Sequence, residues 1–178
     1  IRSMLFMPGN NPGMLVSADN LEADAIIYDL EDAVALSEKD AARDLVYSAL
    51  TTLTYENSMV TVRINPIDSP YFYDDLEMII KACPDGIVIP KASVESVSAA
   101  DKFIKEKSIK YGLEKEIRYF ILVESAAGVL NLEDIMKVSD KIDGILLGGE
   151  DYSVDMEVER TEDSRELAFA RYKIATVA

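Results

Sequence analysis

The sequence has no histidine, no tryptophan and a single cysteine. Without histidine the chain lacks the commonest general base, the commonest zinc ligand and any Ser-His triad. One cysteine cannot close an internal disulfide, which fits a reducing compartment and predicts a cytoplasmic protein. Cys83 lies in Ile79-Ile80-Lys81-Ala82-Cys83-Pro84, on an apolar helical stripe, and reads as a small buried hydrophobe rather than a nucleophile. No apolar run approaches the ~18 residues of a membrane-spanning helix. The first residues, Ile1 to Phe6, lack the basic region, apolar stretch and cleavage site of a signal peptide. Positive charge is also scarce, with 18 Lys and Arg against 33 Asp and Glu and a net charge of −15. An anionic surface repels phosphate backbones, so neither nucleic acid nor a membrane is an expected partner. The same field repels an anionic substrate, which local positive charge or a metal must overcome.

What is present is a chain of 178 residues, enough for one sizeable core. Six short apolar runs, rich in β-branched or aromatic residues, stand out: 4–7, 25–30, 59–64, 86–89, 117–123 and 144–147. Several are apolar nearly throughout, as strands buried on both faces of a parallel sheet are. Helical patterns separate them. Asn11-Pro12 and Ser69-Pro70 each place a capping residue before a proline at the first helical position. Ser93 is the expected cap of the helix carrying Val94, Val97, Phe103 and Ile104, and Ser37 and Ser164 are candidate caps of two more. Strand starts recur every 21 to 34 residues, the length of one βα unit. Such alternation leaves two architectures, a doubly wound sheet or a (β/α)8 TIM barrel. A TIM barrel has eight units and about 250 residues. Six units are counted, so residues 1–178 are expected to be a single α/β barrel domain truncated two units short.

Every strand run delivers polar residues at its C-terminal end: Asn10 and Asn11, then Asp29, Glu31 and Asp32, Arg63 and Asn65, Lys91, Glu124, and Glu150 and Asp151. In parallel β/α folds these ends share one rim, and that rim holds the active site. Glu124 and Asp151 are 27 residues apart, so neighbouring strands should bring them together. Two close carboxylates repel unless a proton or cation lies between them. Oxygen-only donors suit Mg2+ or Mn2+, with positions left for a chelating α-keto or α-hydroxy acid. Arg63 can grip a substrate carboxylate with two parallel hydrogen bonds, or pair with Asp29, Glu31 or Asp32 on the adjacent strand. Lys91 could assist. The turn Gly9-Asn10-Asn11-Pro12-Gly13 opens a helix whose free N–H groups favour an anion. Gly148-Gly149 allows close backbone approach but does not match a dinucleotide fingerprint.

Taken in order, the segments 2–11, 29–34, 62–66, 89–91, 123–125 and 150–156 resemble the HpcH/HpaI aldolase superfamily, in its citrate lyase β branch. The resemblance covers the whole chain. It implies a TIM barrel and Mg-dependent cleavage of a citryl thioester to oxaloacetate and an acetyl thioester. It matches Glu124 and Asp151 to the metal ligands and Arg63, with Glu124, to substrate binding. Glu31 and Asp32 support the site from behind. It also implies a thioester carried on CoA or an acyl carrier protein, citrate lyase alpha and gamma subunits as partners, and a homo-oligomer. The general base is not assigned by the residues. A carboxylate, a metal-bound water or a residue beyond Ala178 must serve. Malyl-type thioester cleavage or pyruvate aldol cleavage within the superfamily, and a non-catalytic metal- and oxaloacetate-binding scaffold, are the alternative expectations.

Overall fold

All six apolar runs become strands. The computed structural model describes residues 1–178. The strands are β1 (Met4–Pro8), β2 (Ala25–Asp29), β3 (Met59–Arg63), β4 (Gly86–Ile89), β5 (Arg118–Val123) and β6 (Ile142–Leu147). Every pairing is parallel and the spatial order is the chain order, β1 to β6. Sequential order has no reversal point, which removes the doubly wound alternative. The sheet curls into a half-barrel and is not closed, because β1 and β6 are its two ends.

Eight helices follow the strands: α1 (Pro12–Ser17), α2 (Lys39–Thr52), α3 (Phe72–Ala82), α4 (Val94–Tyr111), α5 (Ala126–Leu130), α6 (Leu132–Met136), α7 (Gly149–Asp155) and α8 (Ala168–Val177). They cover the convex face with one core that includes Ile26, Tyr28, Val62, Ile87 and Ile121. The concave face holds a second cluster of Ile27, Val88, Phe120 and Leu122. Alternation along each strand divides the two sets, as the two-residue period requires. Phe120 fills the concave face because its neighbours are glycines. A Cβ on Gly86 or Gly144 would stand 2.9 or 2.8 Å from its ring.

The helix starts obey the sequence in part. Asn11 accepts from the Met14 N–H at 3.1 Å, with Pro12 opening α1. Ser93 and Ser96 form a reciprocal capping box at α4. Ser69-Pro70 does not open α3, which begins at Phe72. Ser69 instead caps a turn, accepting from the Tyr71 N–H at 3.2 Å. Ser37 and Ser164 also cap no helix, because α2 and α8 are each entered through a 3-10 turn with its own backbone bonds. Cys83 is half-buried at the left-handed C-cap of α3, past the stripe rather than in it. No helix is long and apolar enough to cross a membrane.

Candidate functional site

Parallel strands put all six C-terminal ends on one rim, and the register decides which side chains face each other. Asp29 stands beside Arg63 across β2 and β3. Leu122 stands beside Leu146, so two residues further on Glu124 faces Gly148. A Cβ on Gly148 would lie 2.8 Å from the Glu124 Cβ and 2.9 Å from its Oε2. Glycine is therefore what makes room for the Glu124 carboxylate.

Arg63 is buried and fully engaged. Its Nε and Nη2 donate to the Asp29 oxygens at 2.8 and 2.6 Å, a bidentate pair. Its Nη1 lies 3.0 Å from Glu31 Oε2 and 3.4 Å from Asp32 Oδ2. The Phe6 ring is 5.0 Å from the guanidinium carbon. Asp29 also accepts from the N–H groups of Glu31 and Ala33, so it is the hub of this corner. All three acidic neighbours foreseen for Arg63 are thus present. The Glu31 Oε2 contact is close but poorly aligned, and that buried oxygen makes no hydrogen bond. Burial pushes the Glu31 carboxyl up to about 8. Arg63 opposes the rise, and the charges of Asp32 and Glu124 add to it.

Glu124 follows β5 directly and is 5% exposed. Its Oε1 accepts from the Lys91 N–H at 2.6 Å. Lys91 adopts a left-handed φ of 45°, which a lysine rarely does, and this aims its N–H at Glu124. The Lys91 side chain itself is exposed at the rim. Burial pushes Glu124 up to about 7. The Lys91 N–H works against the rise, and the nearby Asp151 carboxylate reinforces it. Asp151 does not end a strand. It lies exposed in the first turn of α7, which starts one residue after Gly148. Glu150 is drawn away to Arg160, with 3.1 Å between them. A cleft of about 250 Å3 opens between Phe6, Arg63, Leu122, Glu124, Gly148 and Asp151. A larger one, about 510 Å3, lies against β1 and β6 at the open side of the sheet, lined by Met4, Phe120 and Leu146. It is mostly apolar and carries none of the convergent carboxylates. Two of the N–H groups at the turn after β1 are already engaged and not free for an anion. Gly9 donates to the Asp29 carbonyl and Met14 donates to Asn11.

The donor set fits a hard divalent cation. Nowhere do three His, Cys, Asp or Glu side chains converge tightly enough to enclose a metal unaided. Mg2+ takes about one or two carboxylates and fills its other positions with water and substrate. Glu124 and Asp151 are such a pair, two carboxylates lining one cleft, with Glu124 raised toward protonation by its burial and by Asp151. Sequence reasoning named Asp29 only as one possible partner of Arg63 and missed it as the hub, a role open to inspection in the strand register.

Comparison with known proteins bears on this arrangement. The family model described as HpcH/HpaI aldolase/citrate lyase matches residues 2–178. Citrate lyase subunit beta of Leuconostoc mesenteroides subsp. cremoris is 41% identical over 179 residues, covering 99% of this chain and 59% of that protein. An L-malyl-CoA/beta-methylmalyl-CoA lyase of Cereibacter sphaeroides is 31% identical over 164 residues, covering 90% of this chain and 52% of that protein. The chain thus spans little more than half the length of these curated relatives. The solved structure of a citrate lyase beta subunit from M. tuberculosis, complexed with oxaloacetate and magnesium, superposes with a TM-score of 0.74 at 28% identity. That match covers 98% of this chain and 72% of the other.

Proposed function

This chain belongs to the HpcH/HpaI aldolase/citrate lyase family, and from that premise we propose that it is the metal-binding part of a carbon–carbon lyase acting on a citryl thioester. The observation that carries the reading is the Glu124–Asp151 pair, two carboxylates that line one cleft with Arg63. Glu124 and Asp151 would hold Mg2+, or Mn2+. When bound, the cation would supply Lewis-acid polarisation and a template for a chelating hydroxy-carboxylate.

The chain's own residues then have distinct tasks. Arg63 faces a substrate carboxylate while Asp29 fixes its plane, and Glu31 and Asp32 back it from the β2 end. Phe6 and Leu122 give the cleft apolar walls that strengthen these charges by excluding water. In the reaction the substrate hydroxyl loses its proton and its oxygen becomes the ketone of oxaloacetate. The adjacent C–C bond breaks, and its electron pair leaves on the acetyl thioester as an enolate that is then protonated. The group that takes the hydroxyl proton is not one of the residues assigned here. A closed eight-unit barrel, a thioester borne on CoA or an acyl carrier protein, alpha and gamma partner subunits and a homo-oligomer all belong to this reading.

The malyl-CoA lyase relative supports a second reading, cleavage of a malyl-type thioester. Turnover of citryl-CoA and malyl-CoA by the full-length protein, with and without Mg2+, separates the two. Glu124→Gln and Asp151→Asn are each expected to lower metal-dependent kcat/KM by at least about a hundredfold while circular dichroism stays unchanged. Wild-type activity in either variant would refute the metal assignment.

A further inference from the structure

A second buried polar group sits behind the rim. Lys39 is 5% exposed, and its Nζ donates to the backbone carbonyls of Leu30 and Glu31 at 2.7 and 2.6 Å. Asn65 Nδ2 donates to the same Leu30 carbonyl at 3.0 Å and to Asp75 at 2.7 Å. Asp75 is in turn held by Arg43 Nε at 2.7 Å. Lys39 of α2 and Asn65, two residues after β3, thus converge on the backbone that follows β2 and carries Glu31, and Asp75 of α3 holds Asn65 in place. Local stability does not explain the lysine. It is the first residue of α2, where the helix dipole disfavours a cation, and burying an ammonium is costly. Its bonds go instead to the backbone from which Glu31 reaches back to Arg63.

We infer that Lys39 is a positioning residue, which fixes the Leu30–Glu31 peptide and through it the orientation of Arg63 toward substrate. The inference rests on the reading of Arg63 as a carboxylate-binding group. Without Lys39 the Leu30 carbonyl keeps only Asn65 and the Glu31 carbonyl only the Val34 N–H, the peptide shifts, and Glu31 and Asp32 no longer brace the guanidinium. Glu124 follows β5 and Asp151 lies in α7, so the proposed metal pair is not disturbed.

The test is steady-state kinetics of Lys39→Met in the full-length protein with citryl-CoA. KM is expected to rise about ten- to hundredfold, as when other outer supporting residues are removed, with the Mg2+ activation constant unchanged. A residue needed only for folding would reduce the active fraction, lowering apparent kcat while leaving KM where it was, and that result overturns the inference. If Lys39→Met does not fold, Asn65→Ala removes the other donor to the Leu30 carbonyl and should move KM the same way by less; an unmoved KM again overturns it. Absence of turnover in the wild type would instead count against the proposed activity. In that event a crystal structure of either variant decides, since a Glu31–Arg63 contact still at 3.0 Å defeats the positioning role.

Discussion

Glu124 is placed where losing its charge would help the fold and keeping it would serve the chemistry. Burial and Asp151 push its pKa from 4.5 up to about 7, so the folded state binds this proton more tightly than the unfolded chain does. The associated stability is fully present below about pH 4.5 and is lost as the pH rises to about 7. Removing the charge should therefore stabilise the cation-free protein at high pH. Glu124→Gln is expected to match the wild type near pH 4 and to exceed it by about 1–3 kcal/mol at pH 8 without divalent ions. Added Mg2+ should raise the wild-type Tm at pH 8 and leave the variant's unchanged. Thermal melts at the two pH values, with and without Mg2+, measure all of this. A wild type more stable than the variant at pH 8 without Mg2+ would mean that something other than a cation already neutralises Glu124.

At the level of elements, glycines on the rim and glycines at helix ends do different work. Gly148 faces Glu124, and a methyl there would collide with it at 2.8 and 2.9 Å. Gly112 ends α4 at a φ of 62° with nothing near its missing Cβ. Gly148→Ala should displace the carboxylate and remove metal-dependent activity, at about 1–3 kcal/mol of stability. Gly112→Ala should cost about 1 kcal/mol through its left-handed backbone and leave kcat and KM unchanged. Denaturant titration beside activity assays tests the contrast, and retained activity in Gly148→Ala would move the site away from Glu124. The same elements show what could be read in advance. The strands were legible because burial on both faces leaves apolar runs of strand length. The caps at Asn11 and Ser93 were legible because each side chain bonds the N–H three residues along the chain. Ser37, Ser69 and Ser164 failed because a tight turn precedes each helix and already supplies acceptors. Asp151 was assigned to the right neighbourhood and the wrong element, since nothing in the count of residues reveals that α7 begins at Gly149. Asn65 was legible as a strand-end polar residue but its partner was not, and Lys39 was invisible, because both bind carbonyls and a carbonyl has no residue type.

For the molecule as a whole, the order of the sheet was legible in outline and its curvature was not. Unit spacing gave six parallel βα units, but only the pairing of consecutive strands excludes a doubly wound sheet. The concave face exists because Gly86 and Gly144 admit Phe120 between them, a contact between residues more than twenty positions apart. Charge, by contrast, is wholly a property of the sequence. With 33 acids against 18 bases, the net charge of −15 would repel the anionic thioester proposed as substrate at distances where Arg63 and the proposed cation site have no influence. Salt screens that long-range term first, because the Debye length is about 10 Å at ~0.1 M. The bound complex is affected less, since its charges lie inside the cleft and close together. The expected outcome runs opposite to ordinary electrostatic steering. At saturating Mg2+, kcat/KM for citryl-CoA should rise roughly two- to fivefold as KCl increases from ~10 to ~150 mM, with kcat nearly constant. A fall over that range would show that the local positive potential at Arg63 and the metal already reaches beyond the rim and outweighs the net charge of the chain.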